Sequence, residues 1–531
     1  MSAAPTHFST VNRNVTLSGS PLVMPPISTQ RKINRVTIDN NSGPSDETLN
    51  SLADAYCPDK FREQGKRMVD RLADHLEAMQ AADRNGSATN HVSPAASFER
   101  WQAALEQPPQ KDDRWWNELI ENAIHIHHPR YMGHQICPPV PIAALAGLFS
   151  DFLNNGMGIY EMGEGPTSIE RVVVDWMAGQ LGLGTNAGGI LTSGGTLGNL
   201  TAMLTARRAF GSNDAGQDVW VEGVSQRHSI MVSAQAHYCI DRAARVMGMG
   251  QAGVATVPVD QQFKMRTELL EEVWQQNVDQ GITPIAVVGS ACTTSTGSYD
   301  DLEAIANFCE SKGLWFHVDG AHGASAALSA TYKPLVRGIE RANSVVIDFH
   351  KTMMTPALAT ALIYRDYQDA YRTFSHEAEY LWGTAGSEEW YQLSKRTFEC
   401  TKNMMAVKVF SILKTHGAGL FSDYIDRCFG LGRTFAELID GHERFELAAR
   451  PECNIVCFRY IESGKTDDQL DEINSEIRES LLHSGSFYIV QTVLNGRRYL
   501  RTTLTNPFTL ESDLAALLDT IVQSRPANDS L

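Results

Sequence analysis

Trp315-Phe-His-Val-Asp319-Gly-Ala-His322 is followed, one connecting segment later, by Ser344-Val-Val-Ile-Asp348-Phe-His350-Lys351. Each is a short apolar run that ends abruptly in polar and charged residues. A run apolar on both faces belongs to a strand covered on both sides, and strands spaced by helix-length segments build a mostly parallel sheet between helices. Three earlier runs fit the same pattern: Gly189-Ile-Leu-Thr192, Ile230-Met-Val-Ser233 and Ile285-Ala-Val-Val288. Between about Gly188 and Tyr364 the chain is therefore expected to form an α/β layer around one large, mostly parallel sheet.

On either side the pattern changes. Beyond about His416, helical periodicity mixes with short alternating runs such as Asn454-Ile-Val-Cys-Phe-Arg459 and Phe487-Tyr-Ile-Val490, which predict a small α+β C-terminal domain over 416–531. Ahead of the sheet, Leu49, Leu52, Phe61, Met68, Leu72, Leu76 and Met79 recur near helical spacing, and a second helical stretch from about Ser97 to Ile126 carries Trp101, Trp115 and Trp116. Amphipathic helices need a surface to cover, so 46–127 is read as a dimer-forming helical segment and a homodimer is expected. Residues 128–415 make up the large domain. Residues 1–45 are rich in Ser, Thr, Pro and Asn; with neither the apolar core of a signal peptide nor the Arg-rich pattern of a transit peptide, they are read as a flexible arm.

A chain of 531 residues can form two or three folding units, and its 20% charged and 43% hydrophobic residues are the balance of a globular protein. A formal net charge of −17 opposes nucleic acid and anionic membranes, and no apolar run is long enough to span a bilayer. A small-molecule substrate is favoured. The nine cysteines are odd in number, scattered and free of CxxC pairs, which argues against a structural zinc site and for reduced thiols in a cytoplasmic protein.

In open parallel sheets, ligands bind beyond the carboxyl ends of the strands. Here the first run ends in Thr192-Ser-Gly-Gly-Thr196, followed by Leu197, Leu200, Thr201 and Leu204 at helical spacing. Glycines allow close backbone approach and a helix N-terminus attracts an anion, so this is a candidate phosphate cradle, although a Gly-Gly turn also serves plain chain reversal. It matches neither GxGxxG nor GxxxxGK[ST]. Asp319 at a strand end is either a loop cap or a buried carboxylate in need of a cationic partner. Lys351 is either a surface lysine or an amine whose pKa desolvation lowers toward nucleophilicity. Taken together, a phosphate cradle, a carboxylate and a strand-end lysine are what a pyridinium cofactor with a phosphate tail requires: an anchor, a partner for the ring nitrogen and an amine for covalent attachment.

The order and wording of Thr192-Ser-Gly-Gly-Thr-Leu-Gly-Asn199, Ser233-Ala-Gln-Ala-His237-Tyr, His317-Val-Asp319-Gly-Ala-His and Asp348-Phe-His-Lys351 resemble the group II decarboxylases that depend on pyridoxal 5'-phosphate (PLP). The resemblance runs from about His128 to Thr509 and implies the type I, aspartate aminotransferase-like fold of PLP-dependent transferases. It implies that Lys351 carries the cofactor, Asp319 partners the ring nitrogen and His237 stacks on the ring. Gly194, Gly195 and Thr196 would surround the phosphate, Thr294 would touch the cofactor and His350 would stand beside the lysine. Tyr380 falls where the family has a mobile loop whose tyrosine returns a proton to Cα. His134, Gln135 and Cys137 fall in the segment that lines the substrate pocket in relatives. Their polarity argues against a large aromatic substrate, but they serve equally well to satisfy backbone groups at a subunit contact. Tyr499-Leu-Arg501-Thr-Thr-Leu-Thr-Asn506 resembles the closing motif of the small domain, and Glu170 and Trp176 a packing motif. The family often has Ala-Tyr or Ala-Trp where this chain has Gly320-Ala-His322, which puts the far side of the cofactor or the substrate pocket in question.

The expected reaction is loss of the α-carboxylate of an L-amino acid as CO2, leaving an amine. An aldehyde synthase, an aminotransferase or a carbon–sulfur lyase on the same cofactor is the first rival. Tyr380 stands where the aldehyde synthases of this family carry phenylalanine, which favours simple decarboxylation. A pseudo-decarboxylase is the second rival, and intact Lys351, Asp319 and His237 count against it.

Overall fold

A computed structural model describes residues 46–81, 86–108, 114–211, 219–374 and 390–524. The arm expected over 1–45 and Tyr380 lie outside the described residues. The chain divides into two compact units, Met1–Arg71 and Leu72–Leu531. The first contributes helix Asp46–Ala55 and the opening of helix Pro58–Gln80.

The apolar runs become strands where expected: β1 (Gly188–Thr192), β2 (Arg227–Ser233), β4 (Ile282–Ser290), β5 (Trp315–Asp319) and β6 (Ser344–Asp348), joined by β3 (Val254–Val257) and β7 (Thr360–Tyr364). They form one seven-stranded sheet in the order β1-β7-β6-β5-β4-β2-β3. Pairings from β3 through β6 are parallel, and β7 runs antiparallel to both β1 and β6. The sheet is thus α/β and mostly parallel. Two core clusters cover its faces. On one, Ala202, Met203 and Ala206 of helix Gly195–Gly211 and Ile240 and Ala243 of helix Cys239–Val246 pack on Ile190, Val232 and Val346. On the other, Val173, Val174 and Met177 of helix Glu164–Leu181 and Val409 and Ile412 of helix Met405–His416 pack on Leu191, Val287 and Val345.

A second sheet, ordered β10-β11-β9-β8, is antiparallel throughout: β8 (Phe445–Leu447), β9 (Ile455–Tyr460), β10 (Val490–Leu494) and β11 (Arg497–Thr503). Helices Gly419–Asp440, Asp467–Ser484 and Glu511–Gln523 contribute Phe435, Ile477 and Leu517 to its core with Val456, Phe458 and Leu500. The strand expected at Phe487-Tyr-Ile-Val490 begins only at Val490. Before it, Tyr488 exchanges backbone hydrogen bonds with Arg130 and Met132, so Phe487 and Ile489 are buried by an isolated bridge rather than by a ladder. No helix among the described residues is long and apolar enough to cross a membrane.

Candidate active site

Strand ends and the turns after them meet at one cavity of about 270 Å³, near the small end of the range of roughly 300–1,000 Å³ for small-molecule sites. Lys351 lies in the short helix Phe349–Thr352 immediately after β6. Its Nζ is 2.9 Å from Asp348 Oδ2. Asp348 also accepts a hydrogen bond from the Thr360 hydroxyl on β7, and His350 Nε2 lies 3.7 Å from the same carboxylate. Burial alone would lower the pKa of Lys351, but the carboxylates of Asp348 and Asp319 overcome it and raise the amine above its ordinary value. The lowering expected from desolvation is therefore overturned, because the cavity holds two acids beside one lysine. For Asp348 the balance is similar: burial opposes its charge, yet Lys351 and His350 hold its carboxyl below the usual range.

Asp319, at the end of β5, accepts from Asn199 Nδ2 at 3.1 Å on one oxygen and from Ala321 N at 3.2 Å on the other. His237, in the turn after β2, accepts from Cys239 N at 3.3 Å on Nδ1, which leaves Nε2 to carry the proton of the neutral ring. Burial lowers the pKa of His237 against the opposing pull of Asp319. Helix Gly195–Gly211 starts at the same cavity. Gly194, at φ +114°, makes a turn that side-chain-bearing residues rarely adopt, and a Cβ on Gly195 would sit 3.1 Å from both Asp348 oxygens. Glycines here keep the backbone N–H groups of the helix start open to an anion.

The structure brings together Gly194, Gly195, Thr196, His237, Thr294, Asp319, His350 and Lys351 around this cavity. His134, Gln135 and Cys137 are not among its lining residues. His134 is exposed, Gln135 is buried with its Nε2 unpartnered among the described residues, and the Cys137 thiol donates to His350 O at 3.2 Å from behind the lysine turn. Asp348 and Asn199, which also line the cavity, are not singled out by the sequence beyond their motifs. An acid three residues before a lysine, and an amide in the apolar stripe of a helix, are the signals that could have found them. Gly320 has no room for the commoner alanine, since a Cβ there would come within 2.4 Å of Ala324 Cβ and 2.9 Å of Val346 O. His322 is buried and donates from Nε2 to Asn454 Oδ1 at 2.8 Å, a direction set by Asn454 Nδ2 donating to Leu504 O.

Burial pushes the pKa of both His317 and His322 down to about 3 and that of Asp300 up to about 6. Between pH 6.5 and 3 the unfolded chain binds protons on the two histidines that the folded chain refuses, so stability falls on acidification. Asp300 works the other way between about pH 4 and 6, where the folded chain holds the extra proton. Two groups outweigh one, and together they lower stability on the order of 2 kcal/mol from pH 7.5 to pH 5. Denaturant midpoints at the two pH values test this, and equal midpoints would contradict it.

A lysine amine in a cavity, a carboxylate at a strand end and a glycine-lined helix start, gathered at the carboxyl edge of an α/β sheet, define a PLP-binding enzyme, and this donor set fits each part of that cofactor. Residues 116–461 match the pyridoxal-dependent decarboxylase conserved domain, and the chain belongs to that family. Its reaction is removal of a carboxylate from an amino acid. L-2,4-diaminobutyrate decarboxylase of Acinetobacter baumannii is 26% identical over 469 residues, 84% of this chain and 92% of the relative. Aspartate 1-decarboxylase of Aliivibrio fischeri is 28% identical over 447 residues, 75% and 80% of the two chains. The solved glutamate decarboxylase domain of diaminobutyrate-pyruvate transaminase and L-2,4-diaminobutyrate decarboxylase from Vibrio parahaemolyticus superposes with a TM-score of 0.74 at 27% identity, covering 86% of this chain and 95% of that one.

Proposed function

We propose that the chain decarboxylates an L-amino acid whose side chain bears a second acidic group. The observation that carries this is Arg501 on β11, which is buried and has no carboxylate within ion-pair reach among the described residues. Burial lowers the pKa of its guanidinium, and the groups nearest it electrostatically include Cys292 and His322 of the cavity wall. A buried cation without an acid is costly unless a ligand supplies one. A tight ion pair to the leaving α-carboxylate would stabilise the ground state and slow its loss, so the acid at Arg501 is better assigned to the substrate side chain.

In this reading Lys351 carries the cofactor, Asp319 faces its ring nitrogen and His237 its ring. The backbone of Gly194, Gly195 and Thr196 holds the phosphate, Thr294 lines the ring's edge and His350 supports the lysine turn. When bound there, PLP supplies an electron sink for the pair left at Cα as CO2 departs. Asp319 opposes the positive charge of the ring nitrogen. Tyr380, or His237, returns the proton to Cα as a positioned acid.

We read 128–415 as the cofactor-binding domain, 416–531 as the small domain and 46–127 as the dimer-forming segment. Phe98, Leu105, Phe149 and Phe152 are 60–86% exposed on two helices, which supports a homodimer, and light scattering at micromolar concentration tests it. The nine thiols are all free, as suits the cytoplasm.

The deciding experiment measures CO2 from glutamate, aspartate, cysteine sulfinate, 2,4-diaminobutyrate and aromatic amino acids, alongside ammonia and aldehyde. The expected result is CO2 without ammonia, from an acidic substrate. Equal ammonia and CO2 would make it an aldehyde synthase, and turnover of only diaminobutyrate would remove the role given to Arg501. Arg501→Met is expected to raise KM for the acidic substrate at least about 30-fold, since losing one partner of a buried charge pair costs roughly 2–5 kcal/mol, while kcat changes less.

A further inference from the structure

Behind Asp319 lies a line of buried polar side chains that none of the site roles uses. Trp315, His317 and Asp319 alternate along β5, so all three point to the same side of the sheet. Trp315 Nε1 lies 2.9 Å from Ser344 Oγ, Ser344 Oγ lies 2.8 Å from His317 Nδ1, His317 Nε2 lies 2.7 Å from Asn199 Oδ1, and Asn199 Nδ2 lies 3.1 Å from Asp319 Oδ2. Ser344, His317 and Asn199 are at most 1% exposed and the indole is buried too.

Chemistry fixes the direction of every bond in this line. An indole N–H can only donate, so Ser344 Oγ accepts from Trp315, and because its own proton has no other acceptor among the described residues it turns that proton toward His317 Nδ1. That makes Nδ1 the acceptor and Nε2 the N–H, which donates to Asn199 Oδ1. The amide of Asn199 is thereby oriented with its NH2 group toward Asp319. The carboxylate then receives N–H donors on both oxygens, from Asn199 and from the backbone of Ala321. Asn199 Nδ2 also lies 3.2 Å from the Cys239 thiol, whose pKa burial and Asp319 raise, so the thiol stays neutral beside the acid. If the imidazole took the other tautomer, Asn199 would turn its carbonyl to Asp319 and oxygen would face oxygen.

We propose that His317 and Asn199 are positioning residues that hold Asp319 as a pure acceptor toward the ring nitrogen of the cofactor, with Trp315 and Ser344 setting the polarity of the line. The inference rests on the assignment of Asp319 to that nitrogen. His317 suits the task because it does not change its charge near neutral pH, burial having pushed its pKa down to about 3. A relay member that titrated in the working range would reverse the line whenever it took up a proton.

The test loads the full-length protein with PLP labelled with ¹⁵N in the ring and reads the ring-nitrogen chemical shift, the rate of PLP loss on dilution, and kcat and KM. Asn199→Leu keeps the volume and removes the donor. It is expected to move the nitrogen signal toward the unprotonated form, to speed PLP loss roughly tenfold, the size of one hydrogen bond to a charged group, and to lower kcat with KM little changed. His317→Gln can accept from Ser344 and donate to Asn199, so it is expected to keep all three readouts near wild type, whereas His317→Leu loses them. Thermal melts exclude misfolding, and if His317→Leu does not fold, Asn199→Leu and His317→Gln decide the matter. An unshifted nitrogen signal in Asn199→Leu, with Asp319→Asn shifted, overturns the positioning role and leaves the Asp319 assignment standing. A signal unshifted in Asp319→Asn as well overturns that assignment.

Discussion

Lys351→Ala loses the absorbance band at the edge of the visible that PLP gives with the unaltered protein, and releases CO2 at least about 10³-fold more slowly, the range that losing a positioned proton-transferring group costs. Lys351 is the lysine whose amine lines the cavity, 2.9 Å from the carboxylate of Asp348, with His237, Asp319 and the glycine turn around it. Its removal also strands Asp348, which is 1% exposed and keeps the Thr360 hydroxyl and His350 as partners. An unpaired buried carboxylate destabilises by several kcal/mol, so a fall in activity alone would be ambiguous. Lys351→Arg separates the two effects, since it restores a cation opposite Asp348 yet offers no amine for covalent attachment. The band should be absent from both variants and the melting temperature recovered in Lys351→Arg. A band that survives either substitution would remove Lys351 from its role.

The largest effect on stability is expected away from the cavity, in Lys402→Met. Lys402 Nζ donates to Glu170 Oε1 at 2.5 Å and to the backbone oxygen of Leu191 at 2.6 Å, while Leu191 N donates to Glu170 Oε1 at 3.0 Å. Both charged side chains are 1% exposed, and Glu170 Oε2 has no partner among the described residues. Breaking a buried pair of this kind from one side costs about 3–5 kcal/mol, because the remaining charge has neither water nor counter-ion. The double substitution Lys402→Met with Glu170→Leu removes both charges and is expected to recover most of the loss. Leu191 belongs to β1, whose end carries the glycine turn, so Lys402→Met should weaken PLP retention as well as shift the denaturant midpoint. A single variant within 1 kcal/mol of the parent, which is inside the ordinary range of surface changes, would mean that the pair holds nothing together.

Glu170 also illustrates how much could be read before the fold was known. Its motif marked it as a packing residue, and it does anchor β1 through Leu191. Its partner Lys402 carried no signal, because the two are 232 residues apart and meet only when the chain returns across β1. The strands of the large sheet show the same division. β1, β2, β4, β5 and β6 were legible as apolar runs, whereas β3, with its pattern of partly exposed and buried residues, and β7 were not singled out. The second sheet was legible in kind, and its register at Phe487 was not, since burial there comes from a neighbouring segment rather than from a paired strand.

The residues of the sequence by themselves determined that this is an α/β protein with a lysine, an acid and a glycine turn at its strand ends. Those features are local: a strand buried on both faces must be apolar along its length, and whatever ends it stands out against that background. The ionic state of the lysine, the line of contacts from Trp315 to Asp319, the neutral imidazole of His322 against Asn454 and the burial of Arg501 without a carboxylate partner among the described residues were decided only by tertiary structure. Each depends on a group brought from a distant segment into a place without water, where one neighbouring charge or donor outweighs the intrinsic preference of the side chain.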